Sequence, residues 1–261
     1  MADTHNFVLA SGGVDSLLTL YIAAQTLHPV TPVFIEYGQK WLWERESASM
    51  HVEFLKSRHK DVHTIVNDLV TIKIGSLPQK NHYVYGRNLA FATYAAAHAL
   101  STVRPPARII IWFGFNRDEA AVFEDNTEQF LQDATRVLRH YTLPHLFSIH
   151  VVSPLLHLSK FDEGVLLRYF DIPLQLVESS APCYESQERC GKCPSCRHWR
   201  RVLAGYRWAE VGDLLKREDL EFYVRILLRL VCDALGGFED VFHPAPTALR
   251  EVCEGGSHAK P

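Results

Sequence analysis

Short apolar runs and longer mixed stretches alternate through the first two thirds of the chain. "NFVLA" (6–10), "TPVFIEY" (31–37), "VHTIV" (62–66), "RIIIWFGF" (108–115) and "SIHVVSP" (148–154) are nearly continuous in hydrophobicity and rich in β-branched and aromatic residues. Such runs predict strands buried on both faces of a sheet. The stretches between them, 14–27, 40–58, 88–100, 124–140 and 159–170, carry helical patterning. The alternation predicts an α/β fold, a doubly wound parallel sheet covered by helices. From about residue 183 the texture changes to a cysteine-rich loop and a basic amphipathic helix. A helical tail follows over 213–235, with apolar positions at Leu214, Leu215, Tyr223, Ile226, Leu227 and Leu230. These changes divide the chain into an α/β domain (1–178), a cysteine-bearing segment (179–212) and a helical extension (213–261) whose end is expected to fray.

Composition narrows the class. With 261 residues, 47% hydrophobic and 22% charged, the chain suits one large domain or a domain with an appendage. A formal charge of -3 argues against a surface built for non-specific nucleic-acid binding, and no direct nucleic-acid partner is expected. No apolar run reaches the roughly 18–20 residues of a membrane span. The start, "MADTHNFVLA", lacks the basic-then-apolar pattern of a secretory signal, so the cytoplasm is the expected compartment and disulfides are not expected.

"SGGVDS" (11–16) stands between the first strand and the first helix. Glycines there let backbone approach a ligand, and a helix N-terminus presents free N–H groups to an anion. Ser11 and Ser16 add hydroxyls around Gly12 and Gly13. Asp15 would repel a phosphate unless a cation stood between them, which points to Mg²⁺ bridging it to a polyphosphate. A glycine turn with a serine cap is the plainer alternative. The stretch resembles the hallmark loop of the pyrophosphate-loop ATPases. That resemblance implies an ATP site and cleavage between the α and β phosphates. The G-x-x-x-x-G-K-[ST] phosphate loop is absent from the chain.

"CYESQERCGKCPSCRHWRR" places Cys183, Cys190, Cys193 and Cys196 at C-x6-C-x2-C-x2-C spacing. Four thiolates in one loop match a closed, structural Zn²⁺ site. Arg189, Lys192, Arg197, Arg200 and Arg201 offset its negative charge, which explains the local basicity without nucleic acid. An iron–sulfur cluster and a redox-active pair are the competing readings. Cys232 and Cys253 have no partners in sequence and read as packing residues.

The two signals together resemble the 7-cyano-7-deazaguanine synthases of the queuosine pathway. Further landmarks follow in order: "EYGQ" with Tyr37, Gly38 and Gln39, "YGRNLAF" (85–91), "GFN" (114–116), "SPLLHLSK" (153–160) and "APCYES". The resemblance spans most of 6–205 and implies ATP-dependent activation of 7-carboxy-7-deazaguanine, with ammonia giving the amide and then the nitrile. It implies that Ser11, Gly12, Gly13, Asp15 and Ser16 hold pyrophosphate and Mg²⁺. Lys160, at a helix start beside Ser159, would stabilise the departing pyrophosphate. Arg87 and Asn88 would border nucleotide or substrate, with Tyr37 and Gln39 at the same mouth. A homodimer is implied as well. Glu44 and Glu46 read as a solvated helix face.

One segment departs from the family pattern. After "GFN" the chain runs "RDEAAVFEDNTEQF", without the Ser-Gly, Pro and Cys-Arg features expected there. In register, Glu119 and Asp125 fall at the family's two aspartates, and either would supply a carboxylate to the N1–H and exocyclic amine of a deazaguanine. Each also reads as an acid favoured at a helix N-terminus. The altered segment and the added tail helix point to a divergent relative. Such a relative would pass the activated acyl group to another amine, on a protein partner for example, or serve as a non-catalytic ATP- and zinc-binding module.

Overall fold

The computed structural model describes residues 3–26, 28–39, 43–58, 66–77, 84–180, 183, 185, 188–215 and 217–235. Five strands form one parallel sheet: β1 (Asp3–Leu9), β2 (Val30–Glu36), β3 (Val70–Lys73), β4 (Ala107–Trp112) and β5 (Phe147–Val152). Their order is β3-β2-β1-β4-β5, so the winding reverses between β1 and β4. Loops at such a reversal splay apart above the carboxyl ends of the strands and leave a crevice for a ligand.

The apolar run 62–66 lies outside the described residues apart from Val66, which makes a single bridge to Val30. The third strand of the sheet is β3, "VTIK". It is an edge strand of intermediate burial, so its composition carries no long apolar run. The other four strands lie where the pattern places them, within a few residues.

Alternate residues of each strand serve two cores, as the two-residue period of a strand requires. Val8, Phe34, Ile110, Trp112 and Val152 face a cluster built with α1 (Val14–Ala24), α2 (Trp43–Arg58) and α6 (Lys160–Tyr169). Phe7, Val33, Ile109, Ile111 and Val151 face α3 (Arg87–Thr102) and α5 (Glu128–His140). Between β4 and α5 lie the short α4 (Arg117–Ala120) and a 3-10 turn at Glu124–Asn126. α5 therefore starts later than its pattern predicts, capped by Thr127, whose hydroxyl accepts from the Phe130 N–H at 3.3 Å.

After α7 (Leu174–Ser179) and the cysteine loop come α8 (Pro194–Leu215) and α9 (Arg217–Leu235). Both pack on the first cluster, through Val202, Tyr206 and Ala209 of α8 and Val224, Leu227 and Val231 of α9. α6 and α8 meet backbone to backbone. A Cβ on Gly164 would run into the Val202 carbonyl oxygen, and one on Gly205 into that of Phe161. α9 is bolted to the start of α6 by the Tyr223 hydroxyl, which donates to Asp162. Cys232, read from sequence as a lone packing residue, is disulfide-bonded. Among the described residues no helix is long and apolar enough to cross a membrane.

Candidate active site

The ends of β1, β2 and β4 open into a cavity of about 280 Å³ at the reversal point. Its floor is the loop between β1 and α1. Gly12 takes φ +80°, and a Cβ there would strike the Glu44 carbonyl oxygen, so this position admits glycine for two separate reasons. Gly13 begins α1 with no side-chain cap, leaving the first-turn N–H groups without intrahelical partners. Ser11, Gly13, Asp15 and Ser16 line the cavity. The Ser16 hydroxyl is turned inward and donates to the Gly13 carbonyl at 2.8 Å.

Lys160 enters from the start of α6. Ser159 and Asp162 form a capping box there, and Ser159 N–H donates to Asp162 Oδ2 at 2.7 Å. The Lys160 side chain is 4% exposed and its ammonium contacts Asp15, with Glu119 at 3.4 Å and Glu163 at 3.8 Å. Burial alone would lower its pKa, but the charges at Asp15, Glu163 and Glu119 outweigh that and raise it. For Asp15, burial pushes upward and the Lys160 ammonium overcomes it, so the carboxyl stays below its ordinary range. Glu163 is fully buried and, among the described residues, neither of its oxygens has a hydrogen-bond partner. Burial and the Asp15 charge push its carboxyl well above the usual range despite Lys160.

A polar chain leads outward from this cluster. Glu119 accepts from Asn126 Nδ2 at 3.1 Å, and Asn126 Oδ1 accepts from Asn88 Nδ2 at 2.8 Å. The same Asn88 amide lies 3.0 Å from Asp125 Oδ2. Asn88 is thus buried at the first turn of α3 and ties it to the segment that departs from the family pattern. Glu119, Asn88 and Asn126 line the cavity, whereas Asp125 does not. Asn126 carried no sequence signal, and only the fold brings it beside Glu119.

The opposite wall comes from β2 and α3. Tyr37 packs on Phe91 with ring centroids 5.2 Å apart. The Gln39 side chain folds back on its own strand, accepting from Tyr37 N–H at 2.7 Å and donating to the Ile35 carbonyl at 3.1 Å. Arg87 lies 5.9 Å over the Phe91 ring. Glu46 is exposed, but Glu44 is not on a solvated face as the sequence suggests. It lines the cavity, and burial holds its carboxyl at about 7 against the opposing Arg87 charge. Helical phase could not reveal this, because the groups facing Glu44, Arg87 and Gln39, belong to other parts of the chain.

The sign of the Glu44 shift makes a prediction. Between about 4.5 and 7 the folded protein keeps a proton that the unfolded chain has released, so Glu44 costs stability increasingly as pH rises through that window. Glu44→Gln is expected to stabilise the protein by about 1–3 kcal/mol at pH 8 and to have little effect at pH 4. Thermal melts of both proteins at the two pH values check it.

The four predicted cysteines converge. Their sulfurs all lie within 4.8 Å of one another, with Cys183–Cys193 at 3.8 Å and Cys190–Cys196 at 4.0 Å. Zn–S bonds of about 2.3 Å in a tetrahedron put sulfurs roughly 3.8 Å apart, so the set fits one Zn²⁺. A multinuclear cluster needs wider spacing. Backbone N–H groups of Cys190, Cys193 and Cys196 each donate to a cysteine sulfur at 3.4 Å, as thiolate ligands require.

Fold and site together define an α/β protein with a glycine loop at the reversal of a parallel sheet and a four-cysteine cluster that fits Zn²⁺. The chain belongs to the family described as queuosine biosynthesis protein QueC, whose model matches residues 5–207. It is 30% identical over 221 residues to the 7-cyano-7-deazaguanine synthase of Bdellovibrio bacteriovorus, covering 76% of this chain and 91% of that one. The Campylobacter fetus synthase is 29% identical over 218 residues (78% and 92%), and that of Thermoplasma volcanium 29% over 242 (85% and 95%). A solved NMN synthetase from Francisella tularensis superposes with a TM-score of 0.43 at 17% identity over 80% of this chain and 86% of that one, too loosely to carry an argument.

Proposed function

We propose that the chain uses ATP to activate the carboxylate of 7-carboxy-7-deazaguanine and, with ammonia, converts it to the amide and then to 7-cyano-7-deazaguanine. The observation that carries this is a single cavity joining three parts. These are the uncapped α1 N-terminus behind Ser11–Gly13, the Lys160 ammonium, and a wall of Tyr37, Phe91, Phe113 and Phe115 suited to flat heterocycles.

A carboxylate is a poor acyl donor until it carries a good leaving group. Its oxygen attacks the α-phosphate of ATP, forming an acyl adenylate and expelling pyrophosphate. The N–H groups of the first turn of α1 and the Lys160 ammonium oppose the charge that gathers on the departing group. Ammonia then adds to the acyl carbon and AMP leaves, giving the amide. A second ATP adenylates the amide oxygen, and loss of AMP with both nitrogen protons leaves the nitrile. Asp15, ionised beside the phosphate loop, fits a Mg²⁺ ligand, and the ion would supply neutralising charge on the phosphates. Glu119 would accept from the N1–H and amine edge of the base, with Arg87 and Asn88 lining the same cavity. The four cysteines would hold Zn²⁺ in a structural role.

Mass spectrometry of the protein with Mg-ATP and 7-carboxy-7-deazaguanine, with and without ammonia, tests this. AMP and an ammonia-dependent nitrile are expected, and a complete absence of AMP would remove the enzymatic reading in favour of a binding module. A second reading, transfer to an amine other than ammonia, is favoured by the rim of the departing segment, where Val122 is 71% and Phe123 39% exposed. AMP without nitrile in the presence of ammonia would select it.

A further inference from the structure

The cysteine loop and the start of α8 together form one wall of the cavity. Arg189 of the loop and Ser195, His198 and Trp199 of α8 line the same space as Ser11, Gly13, Asp15 and Lys160. Arg189 stands immediately before the ligand-spaced Cys190 and is held from several directions. Its guanidinium lies 4.1 Å over the Trp199 ring, and Nη2 donates to the Ser180 carbonyl at 2.8 Å and toward that of Glu178 at 3.5 Å. The guanidinium also borders the Cys196 thiol. Its other amino group, Nη1, is buried and has no hydrogen-bond partner among the described residues.

A buried N–H of a cation without an acceptor is costly, so its persistence calls for an acceptor that arrives with a ligand. The other cations of the wall have their charges answered. Lys160 faces Asp15, Glu119 and Glu163, and Arg87 faces Glu44 and packs over Phe91. A polyphosphate entering beside Ser11–Gly13 brings several negative charges to a pocket whose cations are otherwise matched by carboxylates. Resting on the nucleotide reading above, we propose that Arg189 is a phosphate-binding residue of the active site, donating through Nη1 to the β- and γ-phosphates that leave as pyrophosphate. The cysteine loop thereby places a cation in the nucleotide site, and a Zn²⁺ held by its four cysteines would fix the position of that cation.

The test uses zinc-loaded full-length protein, titrated calorimetrically with Mg-pyrophosphate, Mg-ATP and AMP. Arg189→Gln keeps a donor for the Ser180 carbonyl and removes the charge, while Arg189→Lys keeps the charge and loses the planar fork. In whichever variant retains one zinc per chain, pyrophosphate and ATP affinities are expected to fall about 10- to 100-fold, with AMP affinity within about two-fold of wild type. A merely structural role would not separate pyrophosphate from AMP. Unchanged pyrophosphate affinity in a zinc-retaining variant overturns the assignment. Loss of zinc from both variants overturns it too, and makes Arg189 a partner of the thiolates alone. Wild-type protein that binds neither ATP nor pyrophosphate would remove the nucleotide reading itself, whereas wild-type binding with indifferent variants removes only the role of Arg189.

Discussion

Lys160→Ala is expected to slow AMP formation about 10³-fold, the scale seen when a preorganised charge is removed from a site where negative charge develops. The side chain is buried and its proton is secured by three surrounding carboxyl groups, so it is a fixed cation rather than a titrating one. Without it, Asp15 and Glu119 face each other and the incoming phosphates with no counter-charge. The variant then suffers twice, through lost stabilisation of the departing pyrophosphate and through repulsion in the ground state. Pre-steady-state measurement of AMP, with circular dichroism confirming the fold, checks the prediction. AMP formation within about ten-fold of wild type would show that the α1 N-terminus and other cations suffice.

Gly164→Ala is expected to have the largest effect on stability, about 3 kcal/mol, read as a shift in the urea midpoint. The added methyl would meet the Val202 carbonyl oxygen and lie 2.7 Å from Tyr206 N, so the obstruction is backbone on a neighbouring helix and cannot be relieved by a rotamer change. The two helices must separate. Separation moves α8, which carries Ser195, His198 and Trp199, away from α6, which carries Lys160. Weakened nucleotide binding is expected to accompany the lost stability. An unchanged midpoint would mean that the α6–α8 contact is looser than the glycine pair requires.

Local chemistry made much of the molecule legible. Four of five strands announced themselves because buried parallel strands are apolar along their whole length, and β3 escaped because an edge strand need not be. The "SGGVDS" loop was readable because a strand end, two glycines and a helix start are neighbours in the chain. The cysteine set was readable because all four sulfurs come from one short stretch of chain. Cys232 was not, since nothing within a few residues signals its disulfide.

The sequence by itself determined the alternating elements, the anion-ready loop and the thiol cluster, all products of interactions between residues close in the chain. Only the tertiary structure decided what faces what across it. It set Lys160 against Asp15 over a separation of 145 residues, turned Glu44 inward, kept Asp125 off the cavity wall and brought Arg189 into it. Periodicity reports which face of an element is apolar, but not which distant element covers that face. The charge balance of this site is therefore a property of the α1–α6–α8 packing, and of the glycines that let it close.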